Sequence, residues 1–137
     1  MSKTKTMSLD AAKALLRHVR LELARDHDFP SGSRERGYEF VAPIDNDGHL
    51  VAAAWKLTRD RCRVRRFWPH EPSEVGHHVH KPGGAWAFHY DIHGDPDHDE
   101  TGFHLDTHEF VPGEYVSIKE QDGMMRTFRV TAVGDLD

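Results

Sequence analysis

The chain carries 12 histidines in 137 residues, and imidazole is the side chain that both binds divalent metals and exchanges protons near neutral pH. Nine of the 12 lie in residues 69–137, which hold 4 Lys/Arg against 14 Asp/Glu, whereas residues 1–68 hold 14 against 9. A carboxylate beside a histidine stabilises the imidazolium, or fixes the tautomer of a metal-bound ring. The residues that stand out for such chemistry are His78, His80, His89, Asp91, His104 and Asp106, with His93 and His108 nearby. An HEXXH motif is absent, and His77-His78-Val79-His80 alone is not diagnostic of a metal site.

The elements that must position these residues read as antiparallel strands, at about Glu74 to His80, Ala85 to His93, Gly102 to Phe110, Glu114 to Glu120 and Met124 to Val133. The connections carry turn chemistry, Lys81-Pro82-Gly83-Gly84 suiting a type II turn and Gln121-Asp122-Gly123 a hairpin. Strand alternation sends every second side chain to one face. Trp86, Phe88, Tyr90 and Ile92 then form a core face, opposite His89, Asp91 and His93. In the preceding strand Val75 and Val79 are assigned to the core with His77 between them, leaving His78 and His80 on the other side. In 102–110, Phe103 and Leu105 oppose His104, Asp106 and His108. A turn that pairs His80 with Ala85 sets His78 across from Ala87 and diagonal to His89, and a further hairpin brings Asp91 near His104 and His89 near Asp106.

This arrangement predicts a binding face built from His78, His80, His89, Asp91, His104 and Asp106 for a small ligand or a divalent metal, with His78, His80, His89 and Asp91 as the ligands where the bound species is a metal, zinc or similar. Two other readings stay open. The same face suits an enzyme in which a histidine acts as general base and an aspartate orients it. It also suits a solvated sheet face with no site, since one side of an antiparallel sheet is commonly polar.

Upstream, Ser8 reads as an N-cap, and Leu9, Ala12, Leu15, Leu16, Val19 and Leu23 follow helical spacing, predicting a helix over Leu9 to Arg25. Residues 26–37 read as a loop, Tyr38 to Val41 as a short strand, His49 to Asp60 as a second helix with Leu50, Ala53, Ala54 and Leu57 inward, and Cys62 to Trp68 as a strand. The expected fold class is α+β: an N-terminal helix and a short second helix packed on a curled antiparallel sheet of five to seven strands, barrel-like or a sandwich. At this length a single domain over 1–137 is expected, with a flexible leader at 1–7, a helical part at 8–61 and a β-rich part at 62–133.

No run of about 18 apolar residues is present, and Met1 to Asp10 is too polar for a signal-peptide core, so a cytoplasmic location without a membrane partner is expected. The single Cys62 excludes an internal disulfide or a cysteine-built zinc site, and its alternation with Val64 suggests a core thiol. Asp95, Asp97 and Asp99 imitate the start of a calcium loop, but Glu100 stands where glycine is needed and Asp106 where a bidentate glutamate is usual. No G-x-S-x-G elbow, P-loop or G-x-G-x-x-G occurs. Arg59, Arg61, Arg63, Arg65 and Arg66 beside Phe67 and Trp68 suit an interaction module for nucleic acid or an acidic partner. Pairing with the acidic second half is the alternative use of those charges, and it makes nucleic acid the less expected partner.

His80-Lys81-Pro82-Gly83-Gly84, Trp86, Phe88, His89, Tyr90 and Phe110-Val111-Pro112-Gly113-Glu114-Tyr115 together resemble a small bacterial domain family with no assigned activity. The resemblance spans residues 37–133 and implies no catalytic residues.

Overall fold

The structure, a computed structural model, describes residues 7–80, 86–90, 100–103, 109–120 and 122–136. Eight strands occur among them: β1 (Leu16–Leu23), β2 (Ser33–Pro43), β3 (Arg63–Phe67), β4 (Glu74–His80), β5 (Trp86–Tyr90), β6 (Glu100–Phe103), β7 (Tyr115–Lys119) and β8 (Met125–Gly134). Each strand pairs antiparallel with its neighbours in chain order, and β8 returns to pair with β1, closing the sheet into a barrel. Helix α1 (Leu9–Ala14) precedes β1, and α2 (Ala52–Thr58) runs into a 3-10 turn at Arg59–Arg61 before β3. The α+β class with a curled antiparallel sheet is as expected, with eight strands rather than five to seven.

An eight-stranded barrel is just wide enough for side chains to fill, and here aromatic rings do so. Tyr38 lies 5.1 Å from Phe88 and 5.0 Å from Phe128, and Phe40 lies 5.5 Å from Phe88 and 5.7 Å from Phe110. Val19, Leu21, Val64, Val116, Ile118 and Val130 also belong to the buried core. Binding therefore has to occur on the outside or at the ends of the barrel. The helices sit at the mouth where β2 ends and β5 begins, with Trp55 of α2 edge-on to Trp86 at 5.9 Å. The opposite mouth carries the long β1–β2 connection and a charge cluster of the buried Glu120 and Arg126 with the half-buried Arg66.

The N-terminal helix is the largest correction. Ser8 does cap it, its hydroxyl accepting from the Ala11 amide at 3.0 Å, but the helix ends at Ala14 and Leu16–Leu23 is a strand. Val19, Leu21 and Leu23 alternate inward, and β1 finds partners on both sides in β2 and β8. Sheet pairing and alternate burial override the helical spacing of the same leucines. The expected helical part at 8–61 thus contains two strands, and β2 is far longer than Tyr38 to Val41. Gly37 admits a close approach of the β1 backbone: a Cβ there would sit 1.9 Å from the Leu21 carbonyl oxygen, beside the register shift at Glu22/Leu23. In α2, Trp55 and Ala54 face inward and Leu57 is exposed, the reverse of the expectation for Leu57.

Candidate functional site

The β4–β5 pairing decides how the histidines meet. His77 pairs with His89, His78 with Phe88, Val79 with Ala87 and His80 with Trp86. The expected pairing of His80 with Ala85 and His78 with Ala87 is therefore displaced by one residue, and such a slip changes which residues share a face. In β4, Gly76 is buried across from Val64, while Val75 is 44 % exposed. Val75 and His77 therefore lie on the outer face, contrary to the assignment of Val75 to the core. The cross-strand neighbour of His89 is His77, not His78.

His77 also has β3 beside it. It pairs with Arg63, whose guanidinium Nη1 lies 2.6 Å from His77 Nε2 and 3.4 Å from Nδ1. Arginine only donates, so the imidazole is the acceptor in this contact. The outer face of β3–β4–β5 thus presents a guanidinium and two half-buried imidazoles in register.

Of the remaining predicted site residues, His78 and His80 occupy β4 positions across from Phe88 and Trp86, and their side chains lie outside the described residues. Asp91, His104, Asp106 and the Lys81 to Gly84 turn also lie outside them. Tyr90 and Phe103, which precede Asp91 and His104, stand at opposite ends of the β5–β6 pair, where Trp86 meets Gly102 and Phe88 meets Glu100.

A group that the sequence did not single out lies in the turn after β2. Ligand atoms of Asp45, Asp47 and His49 all fall within 4.8 Å of one another. Local hydrogen bonding accounts for much of this geometry, since Asp45 Oδ1 accepts the backbone amides of Asp47 at 2.9 Å and His49 at 3.0 Å. These bonds, the His49 amide foremost, hold the Asp45 carboxyl below its ordinary range. The signal in the sequence was Asp45-Asn46-Asp47-Gly48-His49, which reads as a turn and becomes a carboxylate–imidazole cluster only when closed.

The arginine segment turns its charges onto the protein itself. The Arg59 guanidinium lies 4.8 Å from the centre of the Trp55 ring, Arg65 pairs with Glu39, and Arg66 pairs with Glu71 at 3.1 Å and Glu120 at 3.2 Å. With Arg63 on His77, this geometry supports internal pairing over a nucleic-acid track. Cys62 is buried, and that burial pushes its thiol up to about 11 against the opposing effect of the Thr58 hydroxyl 3.7 Å away. Such a thiol is the reverse of an activated nucleophile.

Among the described residues no helix is long and apolar enough to cross a membrane. No family model, curated protein or solved structure matches the chain, so the functional argument rests on the geometry above.

Proposed function

We propose that the protein is a binding domain that takes a divalent metal ion, zinc or similar, on the outer face of β4 and β5. His77 and His89 are the paired ligands in this reading. Asp91, His104 and Asp106 are the pool from which the remaining ligands and their carboxylate partners come, whereas His78 and His80 occupy the alternate β4 positions, across from the buried Phe88 and Trp86. The observation that supports it is the direct pairing of His77 with His89 across two antiparallel strands. Residues so placed have Cβ atoms about 4.5–5.5 Å apart, a separation from which two imidazoles reach one tetrahedral ion. The Arg63 guanidinium beside His77 Nε2 has to swing aside for a metal ion to take that nitrogen.

The test is zinc titration of the full chain, without an affinity tag, followed by thermal denaturation. Stabilisation by zinc that disappears in the His77→Ala/His89→Ala variant and persists in His18→Ala/His27→Ala is the expected result. Linkage sets the scale: zinc at 100 times its dissociation constant adds about 2.7 kcal/mol, a rise of several degrees in Tm for a domain of this size. Wild-type protein that ignores zinc, or a variant lacking both His77 and His89 that responds equally, overturns the proposal.

A further inference from the structure

A groove lies on the β1–β2 and β7–β8 side of the barrel, on strands other than the β4 and β5 that carry His77 and His89. Where the 24–32 connection leaves the barrel between β1 and β2, this groove of about 520 Å³ is lined by Arg25, Arg34, Arg129, Ser31, Ser33 and Tyr115 among others. We propose that this groove binds a phosphate-bearing small molecule with a planar ring, of the nucleoside phosphate class.

Charge is the first argument. Elsewhere several arginines are paired with carboxylates: Arg17 with Asp135, Arg20 with Glu22 and Glu39, Arg65 with Glu39, Arg66 with Glu71 and Glu120, and Arg126 with Asp26 and Asp28. The guanidiniums of Arg25, Arg34 and Arg129 have no carboxylate or hydrogen-bond partner among the described residues, and all three residues are exposed. Glu22, which also lines the groove, is held by Arg20 at 2.8 Å. A protein of net charge -5 thus gathers three uncommitted guanidiniums in one groove. Guanidinium forks match phosphate oxygens bidentately, and serine hydroxyls supply further donors.

Rigidity is the second argument, since a preformed site loses less conformational freedom on binding. Asp26 and Phe29 exchange reciprocal backbone hydrogen bonds at 3.0 Å, and the Ala24 amide donates to the Thr127 carbonyl at 3.0 Å. Arg126, buried at the barrel mouth, pins the same connection through Asp26 at 2.7 Å and Asp28 at 3.2 Å. Gly32 closes the wall at a φ of +71°, and a Cβ there would meet the Leu23 carbonyl oxygen at 2.7 Å.

The ring is the third argument. Tyr115 is 53 % exposed and pairs directly with Arg129 across β7 and β8, so an aromatic face stands beside a guanidinium. A base can stack there while its phosphate meets the arginines. The volume falls in the range of small-molecule sites, and the net negative charge of the chain disfavours a long polyanion.

Calorimetry on the full chain at about 50 mM salt, with pyrophosphate, adenosine monophosphate, citrate and oligothymidylate as probes, tests the assignment. Pyrophosphate and the nucleotide should bind. Arg34→Gln/Arg129→Gln should weaken both by about tenfold or more, and Tyr115→Ala should weaken the nucleotide alone. His77→Ala/His89→Ala should change neither, which separates this site from the metal reading. All the substituted groove positions are exposed, where folding tolerates change. Absence of wild-type binding, or binding retained in the double arginine variant, overturns the proposal. Citrate binding as tightly as pyrophosphate overturns the phosphate class, a nucleotide indifferent to Tyr115→Ala overturns the ring, and oligothymidylate binding more tightly than the nucleotide overturns the small molecule.

Discussion

The Tyr38 hydroxyl donates to Glu120 Oε2 at 2.5 Å, joining an aromatic core residue of β2 to a carboxylate that is 5 % exposed at the barrel mouth. Arg66 Nε donates to the same oxygen at 3.2 Å, and Arg126 Nε faces the other oxygen at 3.3 Å without the alignment of a hydrogen bond. Removing one partner of such a cluster strands the others. Glu120→Ala should cost about 3–5 kcal/mol and Tyr38→Phe about 1–3 kcal/mol, both read by chemical denaturation. Because Arg126 also holds Asp26 and Asp28, Glu120→Ala should speed amide exchange in residues 24–32 ahead of the rest of the barrel. Uniform exchange across the barrel would separate the cluster from the loop.

Glu39 sets an acid limit. Burial alone raises the pKa of its carboxyl, but hydrogen bonds from Arg65 and Arg20, with their charges, outweigh that and hold it below its ordinary value of 4.5. A pKa lowered by folding stabilises the protein above the unfolded value, and this contribution is lost as pH falls through the folded value. Wild-type protein should therefore lose more stability than Glu39→Gln between pH 5 and pH 3, by on the order of 1 kcal/mol. Parallel denaturation curves at the two pH values would show that the pair contributes nothing.

Arg63 and a bound metal would compete for His77 Nε2. Arg63→Ala should accordingly tighten zinc binding measured by calorimetry, and the gain should vanish when His77→Ala is added. An unchanged affinity in Arg63→Ala would remove His77 from the ligand set.

The Asp45 turn separates structure from metal binding. Asp45→Asn keeps an oxygen acceptor for the Asp47 and His49 amides and should leave stability nearly unchanged, whereas Asp45→Ala should cost about 1 kcal/mol. Zinc stabilisation that survives Asp45→Ala/His49→Ala assigns the metal away from this turn, and its loss there would make the turn the metal centre.

The sequence by itself determined the elements whose information is local. Alternation marked β4 with its observed bounds, Ser8 announced α1, and the spacing of Cys62 and Val64 marked a buried thiol beside a strand. Three decisions belonged to tertiary structure alone. Leu16–Leu23 has apolar residues that satisfy either period, and only pairing with β2 and β8 makes it a strand. His77 rather than His78 meets His89 because register depends on how the whole sheet closes, and one residue of slip exchanges the faces. Arg25, Arg34 and Arg129 share no spacing that a reader of the chain could notice. Closing the barrel through β1 and β8 brings Arg129 across from Glu22 and beside the 24–32 connection, a proximity between distant residues that no local pattern encodes.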